Sequence, residues 1–194
     1  MFLKNRKFAI LLTIVVAAAA TLLGVRATAG NKARKIEAMF YNGVYIESEN
    51  YTQPGIEAHL ESCLSAALGA ATMLEKYADL EDDAKILVAA RRELLSASSV
   101  KDKDMANELM RDSFANLMRK AKTADLAQRD SDAAAQHYKV YNGALGAIQN
   151  SRYNDKVDEY FMGQSAIAKI LSSITLAKKP AYFITSPFPE AVWP

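Results

Sequence analysis

The sequence predicts an all-α protein, in which an N-terminal transmembrane helix is followed by an antiparallel bundle of three to four long helices. Three observations support this fold class. One apolar run near the N-terminus is about as long as a bilayer is thick, and apolar residues then recur three or four positions apart through most of the chain. Helix-forming residues dominate, whereas the 194 residues include only 8 Gly and 5 Pro. We therefore expect an anchor at residues 1–30, a helical bundle at 31–183 and a Pro-rich tail at 184–194.

The membrane element is the run of residues 8–25, FAILLTIVVAAAATLLGV, which contains no charged side chain. A helix of that length rises about 27 Å, close to the roughly 30 Å hydrocarbon core of a bilayer. A backbone inside lipid must satisfy its own hydrogen bonds, so a single apolar run is expected to be a continuous helix. We expect residues 8–25 to contact the lipid bilayer as a signal-anchor, and the protein to cross the membrane once.

The same stretch has a second interpretation, a cleaved signal peptide. Lys4, Arg6 and Lys7 form a basic N-terminal region, and residues 27–29 (ATA) have the small-x-small form of a cleavage site. The apolar run is longer than the roughly 7 to 15 residues of a signal peptide, and Arg26 separates it from that site. The length therefore favours an anchor that is retained.

Charge does not orient the anchor. The positive-inside rule compares Lys and Arg on the two sides of a span, and here the counts nearly cancel. Three basic residues precede the span and four follow it: Lys4, Arg6, Lys7, and then Arg26, Lys32, Arg34 and Lys35. The second group suits anionic headgroups, although an ordinary stop-transfer flank has the same composition. The side of the membrane on which the bundle lies stays open.

The remainder of the chain is mildly acidic, which excludes one class of partner. Residues 1–35 hold seven Lys or Arg and no acid, so 17 basic and 22 acidic residues remain beyond them. That balance lacks the positive surface of a nucleic-acid binder. Cys63, the single cysteine, cannot form an internal disulfide, and it lies too far beyond the apolar run to be a lipoprotein site.

Apolar periodicity places four further helical segments. The anchor is expected to continue as an amphipathic stalk through residues 31–49 and to end near Pro54-Gly55. The stripe of residues 56–78 resumes at 86–95, which predicts one long helix or two nearly collinear pieces. A third helix follows, capped by Asp102 or Asp104. The run of almost forty residues from Asp132 contains no proline and predicts the longest helix.

Two groups of side chains allow either core packing or partner binding. The first is a small-residue face: Ala66, Ala67, Gly69, Ala70 and Ala71. The second is a set of methionines in the third helix: Met105, Met110 and Met118. Stripes of this kind usually face the core, and Met commonly fills irregular gaps, so we favour interior packing for both groups.

A resemblance is carried by the C-terminal half. Residues 148–160, IQNSRYNDKVDEY, are followed by LSSI at 171–174 and by KKPAYF at 178–183. These motifs resemble the LemA family, in which an asparagine–arginine, tyrosine–asparagine helix precedes a serine-containing loop and a proline–tyrosine–phenylalanine end. Two stretches nearer the N-terminus also occur in the order found in the family. They are Tyr41-Asn42, and LEKYA at 74–78 followed by Ala90-Arg91.

The resemblance covers most of the chain and is clearest over residues 138–183. At residues 66–71 the chain has small residues where the family usually has a leucine-rich run with a proline, so it resembles a divergent member. The resemblance implies one N-terminal membrane helix, an antiparallel helical bundle and no established enzymatic activity.

Residues that could support chemistry are few. His59, His137 and Cys63 are candidates, and Glu57 and Glu61 flank His59 on what is expected to be one helix face. Two glutamates and one histidine on an open helix are usually a solvated surface, because a metal site needs convergent ligands and supporting partners. We predict no catalytic, cofactor-binding or metal-binding residue and no cofactor.

The C-terminal block is expected to close the bundle. Lys178 and Lys179 suit the last turn of a helix, which Pro180 then stops. Tyr182 and Phe183 follow at once, so we expect them to fold back onto the bundle, with residues from Ser186 onward dispensable. The tail contains the prolines Pro187, Pro189 and Pro194. It also contains Phe188 and Trp193, which either dock on the bundle or bind a partner.

The sequence thus predicts a non-enzymatic scaffold or partner-recruiting module at a membrane surface of the cell envelope. Its expected contacts are the lipid bilayer through residues 8–25 and protein partners of unknown identity. Homo-oligomerisation is left open, no nucleic acid is expected, and the apolar spacing of the helices is also that of a coiled coil. The alternative is an exported hydrolase or metal-binding protein whose signal peptide is removed.

Overall fold

The computed structural model describes residues 6–188 and 193, and it confirms a long apolar N-terminal helix followed by a helical bundle. The helices are α1 (Arg6–Asn42), α2 (Ile56–Leu74), α3 (Glu81–Ser96), α4 (Val100–Ala121), α5 (Gln128–Gln149), α6 (Tyr153–Met162) and α7 (Ala166–Ile174). Strands β1 (Val44–Ile46) and β2 (Tyr51–Gln53) form a short antiparallel hairpin between α1 and α2.

The described residues form two compact units. One contains residues 6–38 and 155–180, and the other contains 39–154 together with 181–188 and 193. The first unit holds most of α1 and of α6 together with α7, and the second holds α2 to α5, the hairpin, the first two residues of α6 and the C-terminal segment.

The second unit is an antiparallel four-helix bundle. Lys120, at the end of α4, forms an ion pair with Asp83, at the start of α3, at 2.6 Å. The hydroxyl of Tyr77, just after α2, donates a hydrogen bond to Asp130, at the start of α5, at 2.5 Å. Successive helices joined by short connections therefore run up and down, with polar pairs tying their ends.

Helices α2 and α3 are antiparallel, so the prediction of one helix or two collinear pieces is wrong. The chain reverses over residues 75–80, where the Tyr77 N–H bonds to the Leu74 carbonyl and the Leu80 N–H to the Tyr77 carbonyl. The Arg91 guanidinium then donates to the Leu64 carbonyl at 3.0 Å across the two helices. An apolar stripe identifies the buried face of each segment, but it does not state the direction in which the chain continues after a break.

The predicted stalk through residues 31–49 is also wrong in its second half. Helix α1 ends at Asn42, and Gly43 has φ +91°, a conformation that L side chains rarely adopt. A Cβ atom at Gly43 would also collide with the carbonyl of Gln53. The chain then turns into the hairpin, in which Val44 pairs with Gln53 and Ile46 with Tyr51.

The forty-residue helix from Asp132 is divided into α5, α6 and α7. At the first break, the Asn150 side chain donates to the Gly146 carbonyl at 2.8 Å, and the Gln53 side chain accepts from the Arg152 N–H at 2.8 Å. At the second break, the Ser165 hydroxyl caps α7 by accepting from the Ala168 N–H at 3.2 Å. Side-chain bonds to the backbone thus compete with helix continuation at both positions.

Helix α4 begins earlier than the sequence suggests. Its N-cap is Ser99, whose hydroxyl accepts from the Asp102 N–H at 3.1 Å, rather than Asp102 or Asp104. Asp102 accepts the Ser99 hydroxyl proton in turn, at 2.6 Å. The two residues thus form the first bond of a capping box, whereas the Asp102 carboxylate accepts from the Ser99 hydroxyl and not from the Ser99 N–H.

Interior packing is confirmed for the small-residue face of α2. The buried members are Ala66, Ala67, Ala70 and Ala71. Gly69 lies against the imidazole of His137 in α5, so a larger residue would meet that ring. Met110 and Met118 are fully buried, as predicted, whereas Met105 is 65% exposed.

Helix α1 is the one helix among the described residues that is long and apolar enough to cross a membrane. Its most apolar 18-residue window has a mean hydropathy of 2.6, and none of that window is buried inside the protein. Residues 27–29, the small-x-small sequence, lie within this helix. Length and composition alone do not separate an anchor from a signal sequence.

Candidate functional site

The best-defined recognition geometry is a groove that holds the segment of residues 181–188 on the bundle. Three side chains of helix α4 form hydrogen bonds with the backbone of this segment. The Asp104 carboxylate accepts from the Ile184 N–H at 2.7 Å, the Glu108 carboxylate accepts from the Ser186 N–H at 3.2 Å, and the Arg111 guanidinium donates to the Ser186 carbonyl at 3.1 Å. Side chains at 104, 108 and 111 lie on one helix face, since they are four and three residues apart.

Asn154 holds the other side of the segment. Its side-chain amide donates to the Phe183 carbonyl at 2.7 Å and accepts from the Phe183 N–H at 3.1 Å. The neighbouring Tyr153 hydroxyl donates to the Ala181 carbonyl at 2.7 Å. The tyrosine–asparagine pair quoted above therefore contacts the proline–tyrosine–phenylalanine end directly.

Two aromatic clusters anchor the segment. Phe183 is 1% exposed, and its ring lies 5.2 Å from that of Phe40, which in turn lies 5.7 Å from Tyr153. Phe188 lies among the rings of Phe114, Tyr138 and Tyr141, with centroid distances of 6.2, 5.6 and 5.7 Å. Trp193 is also buried.

The expected latch is therefore present at Phe183, whereas Tyr182 is 37% exposed. The docked segment continues past Ile184, because Thr185 is buried and Phe188 stacks on the bundle. The expectation that residues from Ser186 onward are dispensable is corrected on this point. Pro189 and Pro194 lie outside the described residues.

The second unit buries three further polar groups, on Asn107, Tyr141 and Cys63. Asn107 is fully buried, and its amide donates to the Thr185 hydroxyl at 3.2 Å. The hydroxyl of Tyr141 has no hydrogen-bond partner among the described residues, and burial raises the pKa of that phenol well above its ordinary value. Cys63 contacts the Tyr141 carbonyl at 3.9 Å, and burial raises its thiol pKa to about 12. Neither group is ionised near neutral pH, so neither is prepared to act as a nucleophile.

The residues singled out for chemistry do not converge. His59 lines a shallow groove between α2 and α5, of about 470 Å³, with neighbours that include Ser62 and Lys139. His137 packs over Gly69, ten residues further along α2, which is about 15 Å of helix. Burial lowers the pKa of His137, so its imidazole is neutral at physiological pH.

The acidic neighbours of His59 are not arranged as ligands. Glu57 forms an ion pair with Lys103 at 3.0 Å, which ties the start of α2 to α4. Among the described residues, no group of three or more His, Cys, Asp or Glu side chains could hold a metal ion. The contacts of these residues stabilise the bundle.

Sequence reasoning missed the polar side chains of α4 that hold the C-terminal segment. Asp104, Glu108 and Arg111 look like a solvated helix face, because their spacing is also that of ordinary surface ion pairs. No local pattern in the sequence distinguishes a helix face that binds backbone groups from one that faces water.

The comparison of this chain with protein-family models, curated proteins and solved structures yields no match. The resemblance to the LemA family stays a prediction that rests on the motif residues.

Proposed function

We propose that this chain is a divergent member of the LemA family and acts, without enzymatic activity, as a scaffold or partner-recruiting module tethered to a membrane. The observation that carries the proposal is the uncovered apolar surface of α1. Leu11, Ile14 and Val16 are 59–60% exposed, although the bundle has a complete core of its own. Apolar surface of this extent marks a membrane or protein contact.

A retained anchor is supported by the continuity of α1. The helix runs without a break from the apolar span through residues 27–29 to Asn42. The apolar span and residues 27–29 therefore belong to one helix.

The scaffold role is supported by the way the bundle uses its polar groups. Asp83 is held by Lys120 and Asn116, at 2.6 and 2.7 Å, and Asp130 by Lys76 and Tyr77, at 2.6 and 2.5 Å. These carboxylates fix helix ends and are not available for acid–base work.

Candidate partner contacts lie on α3 and α4. These helices expose apolar side chains that the bundle does not cover: Ile86, Leu95, Met105 and Leu109, which are 51–65% exposed. A rigid helix pair that presents such residues in a polar surround has the composition of a protein-recruiting surface.

The proposal is tested against the enzyme alternative by measuring the metal content and hydrolase turnover of the purified full-length chain. We expect no stoichiometric metal and no turnover. A metal or an activity that is lost in His59→Ala or His137→Ala, with Leu95→Ala as a surface control outside the His59 groove, would overturn the scaffold proposal. Protease protection in intact membranes then identifies the side on which the bundle lies.

A further inference from the structure

Helix α7 exposes its most apolar face. Ile167, Ile170 and Ile174 are 60–70% exposed, and their spacing of three and four places them on one side of the helix. Met162 before the helix and Leu176 after it are 75% and 83% exposed. A helix that packs on a soluble domain shows the reverse arrangement.

The less exposed side of α7 carries two apolar residues, Ala168 and Leu171, and two hydroxyl residues, Ser172 and Thr175. Ser172 is 2% exposed and donates to the Lys169 carbonyl at 3.0 Å, and Thr175 donates to the Leu171 carbonyl at 2.9 Å. The three isoleucines of α7 are thus more exposed than Ser172 and Thr175.

Helix α7 belongs to the same compact unit as the anchor helix. Lys178, shortly after α7, forms an ion pair with Glu37 of α1. One side of α1 is less exposed than the others: Ala33 is buried, and Leu22, Val25, Ala29 and Ile36 are half-buried. The ion pair therefore holds the chain just after α7 beside the part of α1 that follows the apolar span.

The charges between Glu159 and Glu190, a stretch that includes α7, have one sign. No Asp or Glu occurs between Glu159 and Glu190, whereas Lys169, Lys178 and Lys179 lie in or just after α7. On α1 no acid precedes Glu37, and four basic residues follow the span: Arg26, Lys32, Arg34 and Lys35. Basic residues beside an apolar face complement the anionic headgroups of a bilayer.

We propose that α7 is a second membrane contact, which inserts Ile167, Ile170 and Ile174 into the headgroup boundary of an anionic bilayer beside the anchor. The proposal rests on the membrane tether proposed above and adds a lipid-binding surface to it. A second copy of the same face is a poorer occupant, because Lys169 would approach its own counterpart with no acid on the segment to offset the charge.

The test uses the full chain in liposomes and a fluorophore attached to single cysteines. In a Cys63→Ala background, Ile167→Cys and Ile170→Cys are labelled with an environment-sensitive dye in vesicles of phosphatidylcholine alone or with phosphatidylglycerol. Ile86→Cys, which is 56% exposed on the bundle, is the matched control, and Leu12→Cys reports the span. Circular dichroism confirms that each labelled chain keeps its helices.

We expect quenching by lipid-borne quenchers at 167 and 170 in the anionic vesicles, weaker quenching at high salt or in Lys169→Glu, and none at 86. Quenching at 12 without quenching at 167 and 170 would overturn this inference and leave the tether intact. Absence of quenching at 12 would overturn the tether itself. A signal at 167 that depends on protein concentration and not on lipid quenchers would assign the face to a second copy, and would also overturn the inference.

Discussion

Asn154 binds Phe183 through both of that residue's backbone polar groups, donating to its carbonyl at 2.7 Å and accepting from its N–H at 3.1 Å. One amide side chain thereby acts as a strand partner for an extended segment. Because the Phe183 ring is 1% exposed, both backbone groups lie at the edge of the core, where an unpaired group is costly.

We therefore expect Asn154→Ala to destabilise the protein by about 1–3 kcal/mol, the cost of leaving such groups unpaired. The measurement is urea unfolding of the full chain in detergent. Asn142→Ala, at an exposed asparagine of α5, is the control. Equal midpoints for the two variants would show that the clamp contributes nothing to stability.

We expect truncations of the docked segment to lower the melting temperature by an amount that depends on how many of its contacts are removed. Removal of residues after Pro180 eliminates both aromatic anchors and is expected to lower the melting temperature most. Removal after Ile184 keeps the buried Phe183 but loses the stacking of Phe188, so an intermediate melting temperature is expected. If the second truncation melted like the intact chain, the contacts of Phe188 would carry no stability.

The apolar stripe of α5 is tested at Ile148, which is 4% exposed. Ile148→Ala is expected to cost about 2–5 kcal/mol, because the substitution removes buried methylene groups and leaves a cavity. Val140→Ala on the same helix, at a residue that is 41% exposed, should cost less than about 0.5 kcal/mol. If Ile148→Ala lowered the free energy of unfolding as little as Val140→Ala, Ile148 would not lie on the buried face of α5.

The hydrogen bonds of Asp130 are expected to make the stability of the fold depend on pH. Hydrogen bonds from Lys76 and Tyr77 hold the pKa of this carboxyl below its ordinary value of 3.8. A depressed carboxyl pKa stabilises the fold above the unfolded pKa, and that contribution is lost as the pH falls through the folded pKa. The stability difference between the wild type and Asp130→Asn should therefore shrink between about pH 5 and pH 3.

Thermal unfolding at the two pH values provides the measurement. Asp125→Asn, at an exposed carboxyl at the same end of the bundle, is the control for the loss of one negative charge. A difference that stays constant with pH would show that the charged pair does not contribute.

The sequence predicts the elements of this fold better than their connections. The buried faces of α2 and α5 follow from periodicity, since burial of apolar side chains dominates the energetics of a helix face. The reversal at residues 75–80 depends instead on a local turn and on Asp83 meeting Lys120, a pair 37 residues apart. Pairings of that kind leave no mark in a local pattern.

Two of the missed features did have local signals. Gly43 after Asn42, followed by the alternation of Val44 and Tyr45, is typical of a turn into a strand. Gly163 and Ser165 likewise mark a helix end and an N-cap. The groove for the C-terminal segment had no comparable signal, because a charged helix face that binds backbone groups has the same composition as one that faces water.

The central claim, that residues 8–25 hold the bundle at a membrane, is tested most directly by the mass and extractability of the protein in cells. We expect an intact chain of 21.3 kDa that stays in the membrane pellet after alkaline carbonate extraction. A shorter chain that begins near Gly30 and is released into the soluble fraction would contradict it.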